Sequence, residues 1–274
     1  MTETTLESLL DEIAAMSPAD DFAKVAVFDA DHTLWAADLA DHAVQKAMRE
    51  RRFRPEAREP VARILEAHGI AAAREPHADS RAIIDHYKQD RIGEVGIISA
   101  QVVCFAGWTP EEAVAFGREV FEESVGPLVY EGVAALHAAL RARGIDIRVI
   151  SGSAQWLVEG AVGALGVPGA DVLAAQTYVE GDRITGYMAD PITYRWGKVA
   201  ALERLVGERG AWLGFGDSRS DVPMLERCAV RVAVNARPKI RLLAAGDPRW
   251  RQWFPARTVG GHAVERVETE RVVV

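Results

Sequence analysis

The most informative stretch of this chain is Val25-Ala26-Val27-Phe28-Asp29-Ala30-Asp31-His32-Thr33-Leu34. A short apolar run ends abruptly in two aspartates, Asp29 and Asp31, with Thr33 just beyond. Such a run, bounded by charge, reads as a strand buried on both faces of a parallel sheet. In open parallel sheets, chemistry gathers at the carboxyl ends of the strands. Here that end carries one carboxylate able to attack and another able to move a proton. The same pattern would also suit an acidic turn in which Asp31 caps a helix. A calcium loop of the EF-hand type is disfavoured, because its sixth position needs glycine and Leu34 stands there.

Composition sets the frame. A chain of 274 residues, 49% apolar and 26% charged, is an ordinary globular protein with length for one large or two modest domains. The net charge of −8 argues against a nucleic-acid partner. The local basic run from Arg49 to Arg54 reads as a solvated helix face. Two cysteines, Cys104 and Cys228, lie in apolar surroundings; they exclude a disulfide framework and fit a reducing compartment. The segment from Met1 to Met16 is acidic, with Leu6, Leu9, Leu10 and Ile13 at helical spacing, and lacks the basic start of a signal peptide. No apolar run approaches the roughly 18 residues of a membrane span. A cytoplasmic location with no membrane partner is expected.

Working outward, residues 36–125 hold no strand-like run. Helices are expected over Leu39–Arg52, Val61–His68, Ser80–Phe105 and Thr109–Glu123. Thr109-Pro110-Glu111-Glu112 is a helix start: a capping residue, proline in the first turn, then acids. From Gly132 helix and strand alternate, with strands expected at Ile145–Ile150, Val172–Ala174, Ala211–Phe215 and Val230–Val234 and a hairpin over Thr177–Tyr187. The expected organisation is an α/β core of residues 18–35 and 126–274, an inserted helical bundle over 36–125, and an N-terminal helix over 1–17.

Three further loops in the α/β portion carry reactive side chains. They are Ser151-Gly152-Ser153 after one strand, Lys198 at the opening of a helix, and Gly216-Asp217-Ser218-Arg219-Ser220-Asp221 after another strand. Singly, each has a plain reading as a cap, a surface lysine or a turn. In this order, after Asp29 and Asp31, they form one pattern. The chain resembles the haloacid-dehalogenase superfamily, in particular phosphatases of its phosphoserine-phosphatase-like branch, whose helical cap follows the first motif. The resemblance covers about Asp21 to Pro255 and includes Ala139–Gly144 before the serine and Val232–Pro238 after the last strand.

That resemblance implies a Rossmann-like parallel sheet flanked by helices, with a cap, and a role for each motif residue. Asp29 would be the nucleophile that forms an aspartyl-phosphate, and Asp31 the general acid and base. Ser151, Gly152 and Lys198 would bind the transferring phosphoryl group. Mg²⁺ would be held by Asp29, the main-chain oxygen of Asp31 and Asp217, with Asp221 a further ligand or a support behind them. The partner would be a small soluble phosphate ester. Asp31 argues against dehalogenation. A phosphotransferase or phosphomutase, and a catalytically silent binder of phospho-ligands, remain as alternatives.

Several positions bear on the leaving group. Asp38 stands where phosphoserine phosphatases carry a glutamate for the substrate ammonium. Anchoring the cap on Thr109-Pro110 puts Val102 where those enzymes carry an arginine for the substrate carboxylate, and no arginine occurs between Arg91 and Arg118. Phosphoserine is therefore disfavoured. His32, Trp35, Asp38 and Trp156, with Trp108 and Trp196, suggest an aromatic and acidic pocket for phosphocholine or phosphoethanolamine. Packing of the tryptophans between cap and core is the competing reading. The tail from Gly260 to Val274 alternates charged and apolar residues, as an edge strand or a partner contact would.

Overall fold

The computed structural model describes residues 2–17, 19–236, 238–244, 246–256, 258–259 and 262–263. Its elements run β1 (Thr2–Thr4), α1 (Leu6–Ala15), β2 (Phe22–Phe28), α2 (Leu39–Arg49), α3 (Arg58–Ala67), α4 (Pro76–Tyr87), α5 (Glu94–Val103) and α6 (Pro110–Val120). Then come α7 (Val133–Ala142), β3 (Asp146–Ala154), α8 (Gln155–Val162), β4 (Val172–Ala175), β5 (Thr177–Glu180), β6 (Arg183–Met188) and α9 (Trp196–Val206). The chain continues through β7 (Gly210–Gly216), α10 (Val222–Leu225), β8 (Cys228–Val234), α11 (Pro238–Ala244) and β9 (Trp250–Trp253). Two short strands, β10 (Thr258–Val259) and β11 (His262–Ala263), pair antiparallel.

Seven strands form one sheet in the order β1-β9-β8-β7-β2-β3-β4, and every neighbouring pair is parallel. The deciding apolar run is the last part of β2, a central strand flanked by β7 and β3. Every residue of β7 is buried, as expected of a strand covered on both faces. Because the strands are parallel and β2 lies between β3 and β7, Asp29, Ser151 and Asp217 emerge along one edge of the sheet. Phe28 and Phe215 stack 4.2 Å apart immediately behind that edge, and His137 of α7 meets Phe28 edge-on.

Helices α2 to α6 follow the first motif, and α6 begins with the expected capping box at Thr109. The single helix expected over Ser80–Phe105 is in fact two, α4 and α5. The break holds Asp90 in the left-handed region at φ 57°, which aspartate tolerates better than most residues, and Gly93 caps the next helix. Helix α6 seats directly on α8. A Cβ on Gly160 would lie 2.2 Å from the carbonyl oxygen of Val114, and one on Gly117 would lie 2.5 Å from that of Leu157. Hydrogen bonds in both directions between the hairpin strand β6 and the segment before α6 add a second tie, from Gly107 N to Ile184 O and from Ile184 N to Trp108 O.

Strands β1, β9 and β10 escaped the sequence reading. The N-terminal segment is more than a helix, since β1 precedes α1 and pairs with β9 at the sheet edge. Of the tail, only His262–Ala263 falls among the described residues, and the rest of 260–274 lies outside them. No helix among the described residues is long and apolar enough to cross a membrane.

Candidate active site

A cavity of about 350 Å³ opens over the carboxyl edge of the sheet. Its floor includes Asp29, Asp31, Ser151, Gly152, Ser153, Lys198 and Asp217, and α4 and α5 supply Ile84, Tyr87, Ile97, Ile98 and Gln101. Asp29 directly follows β2, where its amide donates to Phe215 O at 2.9 Å. Lys198 sits in the first turn of α9. Gly197 beside it has no room for a side chain, since a Cβ would lie 1.7 Å from Ile192 O.

Lys198 Nζ donates to Asp29 Oδ1 and to Asp221 Oδ1, both at 2.5 Å, with all three side chains nearly closed to solvent. Burial alone would drive the lysine toward its neutral form, but Asp221 and Asp29 overcome it and hold the ammonium above its ordinary range. Burial, then the charge of Asp221, push the Asp29 carboxyl up to about 7, while Lys198 pulls it down. The other oxygen of Asp221 accepts from the amides of Asp217 and Ser218 at 3.2 and 2.9 Å and from the Ser218 hydroxyl at 2.9 Å. Gly216 makes that closure feasible, because a Cβ there would lie 2.7 Å from the Asp221 Cβ. Thus Asp221 shapes the loop that presents Asp217 and also holds Lys198.

Asp29, Asp217 and Asp221 are buried, and one carboxylate oxygen from each lies within 4.8 Å of the other two. Three buried carboxylates against one buried ammonium leave surplus negative charge, and an all-oxygen donor set suits a hard divalent cation.

Asp31 is held differently. Its Oδ1 accepts from Trp35 Nε1 at 2.9 Å and the Leu39 amide at 2.8 Å, and its Oδ2 accepts from the Ser153 hydroxyl at 2.6 Å. Ser151 is fully buried; its hydroxyl oxygen accepts from the Ser153 amide at 3.1 Å and its carbonyl from the Thr193 hydroxyl at 2.6 Å. The Thr193 contact draws in the loop that carries Tyr194 into the cavity wall.

The pocket for the leaving group departs from expectation. His32 and Asp38 line the cavity, His32 in the left-handed region at φ 59°. Trp35 and Trp156 do not line it; both are buried in the hydrophobic core, with Trp35 edge-on to Phe121. Trp108 packs against Phe105 and Phe116, and Trp196 is exposed on the outer surface. Among the described residues, no tryptophan lines this cavity. Its aromatic residues are Tyr87 and Tyr194, which the sequence reading missed. Gln101, not the fully buried Val102, faces the cavity from α5.

Asp38 caps α2 by accepting from the Asp41 amide at 2.8 Å. It keeps an exposed face within the cleft, but the protein crowding its carboxyl, then Asp31, raises its pKa above the usual carboxylate range. Asp41, Glu94 and Lys88 complete the rim, and Tyr87 donates to Glu94 at 2.9 Å. Among the described residues, six carboxyl groups therefore line a cavity whose lysines are Lys88 and Lys198.

Known proteins resemble this chain in both sequence and fold. A family profile described as haloacid dehalogenase-like hydrolase matches residues 26–226. A probable phosphatase of Mycobacterium tuberculosis is 33% identical over 134 residues, covering 47% of this chain and 46% of the relative. A phosphoserine phosphatase of the same organism is 29% identical over 142 residues, covering 50% of this chain and 46% of the relative. The chain thus matches about half the length of these curated relatives. A crystal structure of a protein of unknown function from Bordetella pertussis superimposes with a TM-score of 0.66 at 20% identity, covering 84% of this chain and 97% of that one.

Proposed function

The chain belongs to the haloacid dehalogenase-like hydrolases, and we propose that it is a Mg²⁺-dependent phosphomonoesterase acting on a small ester with a cationic alcohol. The observation that carries this reading is the cluster at the sheet edge: buried Asp29 paired to Lys198, beside Asp217 and Asp221, with Asp31 facing the same cavity.

Asp29 would attack phosphorus through a carboxylate oxygen as the ester bond breaks, giving an aspartyl-phosphate and dividing the hydrolysis into two easier steps. Asp31 would protonate the departing alcohol oxygen, then take a proton from the water that releases phosphate. Lys198, Ser151 and the backbone around Gly152 would bind the phosphoryl oxygens. A phosphate dianion approaching Asp29 meets strong repulsion, several kcal/mol per charge pair at contact at an effective dielectric of ~20. Mg²⁺ held by Asp29, Asp217 and the main-chain oxygen of Asp31 would supply the compensating charge and polarise the phosphoryl group. Asp221, already bound to Lys198 and to the loop of Asp217, supports that set from behind.

The acidic rim favours an alcohol bearing an ammonium group, held by Asp38 and neighbouring acids instead of by tryptophans. Phosphoethanolamine and phosphocholine fit this description. The reading is tested by phosphate release with Mg²⁺ or with a chelator across phosphoserine, these two amino-alcohol phosphates, sugar phosphates, nucleotides and an aryl phosphate. Chelator-sensitive preference for an amino-alcohol ester is expected, and inertness toward the whole panel would overturn it.

A further inference from the structure

We propose that Ser153 is a positioning residue for Asp31, fixing the one lone pair from which a proton reaches the leaving oxygen; this rests on the phosphatase reading above. A carboxylate offers about four acceptor directions. Trp35 Nε1 and the Leu39 amide occupy Oδ1, and the Ser153 hydroxyl occupies one direction of Oδ2 at 2.6 Å. Among the described residues, that leaves a single direction, on Oδ2, of a carboxyl group that lines the cavity.

The two donors on Oδ1 are fixtures of the fold. Trp35 is fully buried, and Leu39 opens α2. Ser153 is different, because it lies at the irregular carboxyl end of β3, with Ser151 and Gly152 in the segment that would bind the phosphoryl group; the loop expected there is the last part of the strand. Its amide donates to the Ser151 hydroxyl at 3.1 Å, and its own hydroxyl reaches across to Asp31. This one three-residue segment thereby sets both where phosphorus sits and where the proton donor points. Phosphorus and the leaving oxygen are bonded to each other, so coupling the two positions aligns the transfer.

The step balances within the named atoms. The Asp31 proton passes from Oδ2 to the ester oxygen as the phosphorus–oxygen bond breaks and the Asp29 oxygen–phosphorus bond forms. Water then attacks phosphorus, its proton goes to Oδ2, and the Asp29 carboxylate departs. Ser153 keeps its own proton throughout.

Leaving-group dependence separates this role from a merely structural one. An alkoxide needs a proton to depart, whereas 4-nitrophenolate does not. The experiment compares wild type, Ser153→Ala and Asp31→Asn on an alkyl phosphate and on 4-nitrophenyl phosphate, with kcat and KM resolved for each. Small misplacements of catalytic groups cost up to about a hundredfold in rate. Ser153→Ala should therefore lower kcat on the alkyl ester at least about tenfold more than on the aryl ester, with little change in KM, and Asp31→Asn should show the same selectivity more strongly. An active wild type whose Ser153→Ala variant loses both esters equally, or neither, overturns this proposal alone. A wild type inert toward both esters overturns the phosphatase reading and this proposal with it.

Discussion

Lys198 Nζ lies 2.5 Å from Asp221 Oδ1, and both side chains are almost completely closed to solvent. Asp221 also accepts three hydrogen bonds from Asp217 and Ser218. Asp221→Ala would strand the buried Asp217 amide and leave Lys198 paired to Asp29 alone, whereas the half-buried Ser218 hydroxyl keeps Ser220 as a partner. Lys198 keeps Asp29 at 2.5 Å, so the cost comes from the stranded donor, and a buried donor left unpaired costs about 1–3 kcal/mol. Urea denaturation should show a loss of that order together with loss of turnover, and a change below about 1 kcal/mol would show that the loop holds itself.

Helix α6 meets α8 without intervening side chains. Gly160→Ala would place a methyl carbon 2.2 Å from the carbonyl oxygen of Val114. Overpacking of this sort destabilises by about 1–3 kcal/mol. A thermal melt of Gly160→Ala should show the drop, whereas Gly163→Ala, at a position with open space around it, should melt close to wild type.

His137 gives the fold a dependence on pH. It is buried against Phe28, neither ring nitrogen has a hydrogen-bond partner of good geometry, and burial, then Arg141, lower its pKa from 6.5 to about 4. Well above pH 6.5 it is neutral in both states and adds no dependence on pH. Between 6.5 and about 4 the unfolded chain takes up a proton that the folded chain refuses, so stability falls as pH falls. The whole interval amounts to roughly 3 kcal/mol. His137→Leu should remove that component, which urea midpoints at several pH values would detect, and parallel pH profiles for variant and wild type would refute it.

Asp38 combines a cap with a charge in the cavity. Asn caps helices about as well as Asp, so Asp38→Asn keeps α2 while removing the charge. KM for a cationic amino-alcohol ester should rise about tenfold, a change of about 1.4 kcal/mol. Kinetics on an aryl phosphate should hardly move. Equal effects on both substrates would mean that Asp38 acts on the site generally.

Much of this was legible before any coordinates. The parallel sheet follows from apolar runs broken by helices, and the reactive loops follow from strands that end in Asp, Ser or Gly-Asp. Such patterns are local, so the sequence displays them directly. The roles of the tryptophans were not legible. Trp35 lies four residues beyond Asp31, and only the turn between them shows that its indole serves the carboxyl group and faces away from any substrate. Tyr194 reaches the cavity because Thr193 bonds to Ser151, a contact across 42 positions of sequence that no periodicity announces. Strands β1 and β9 escaped for another reason. β1, at the sheet edge, needs no continuous apolar run, and β9, between β1 and β8, interrupts its apolar residues with Arg251, which pairs with Glu12 of α1.

On the proposed mechanism Asp29 carries the phosphoryl group. The direct measurement is a rapid acid quench of enzyme mixed with ³²P-labelled substrate, followed by counting label on the denatured chain. Wild type should retain hydroxylamine-labile label, and Asp29→Asn, with its fold intact by circular dichroism, should retain none. Label on Asp29→Asn equal to that on wild type would place the covalent step elsewhere and contradict the account.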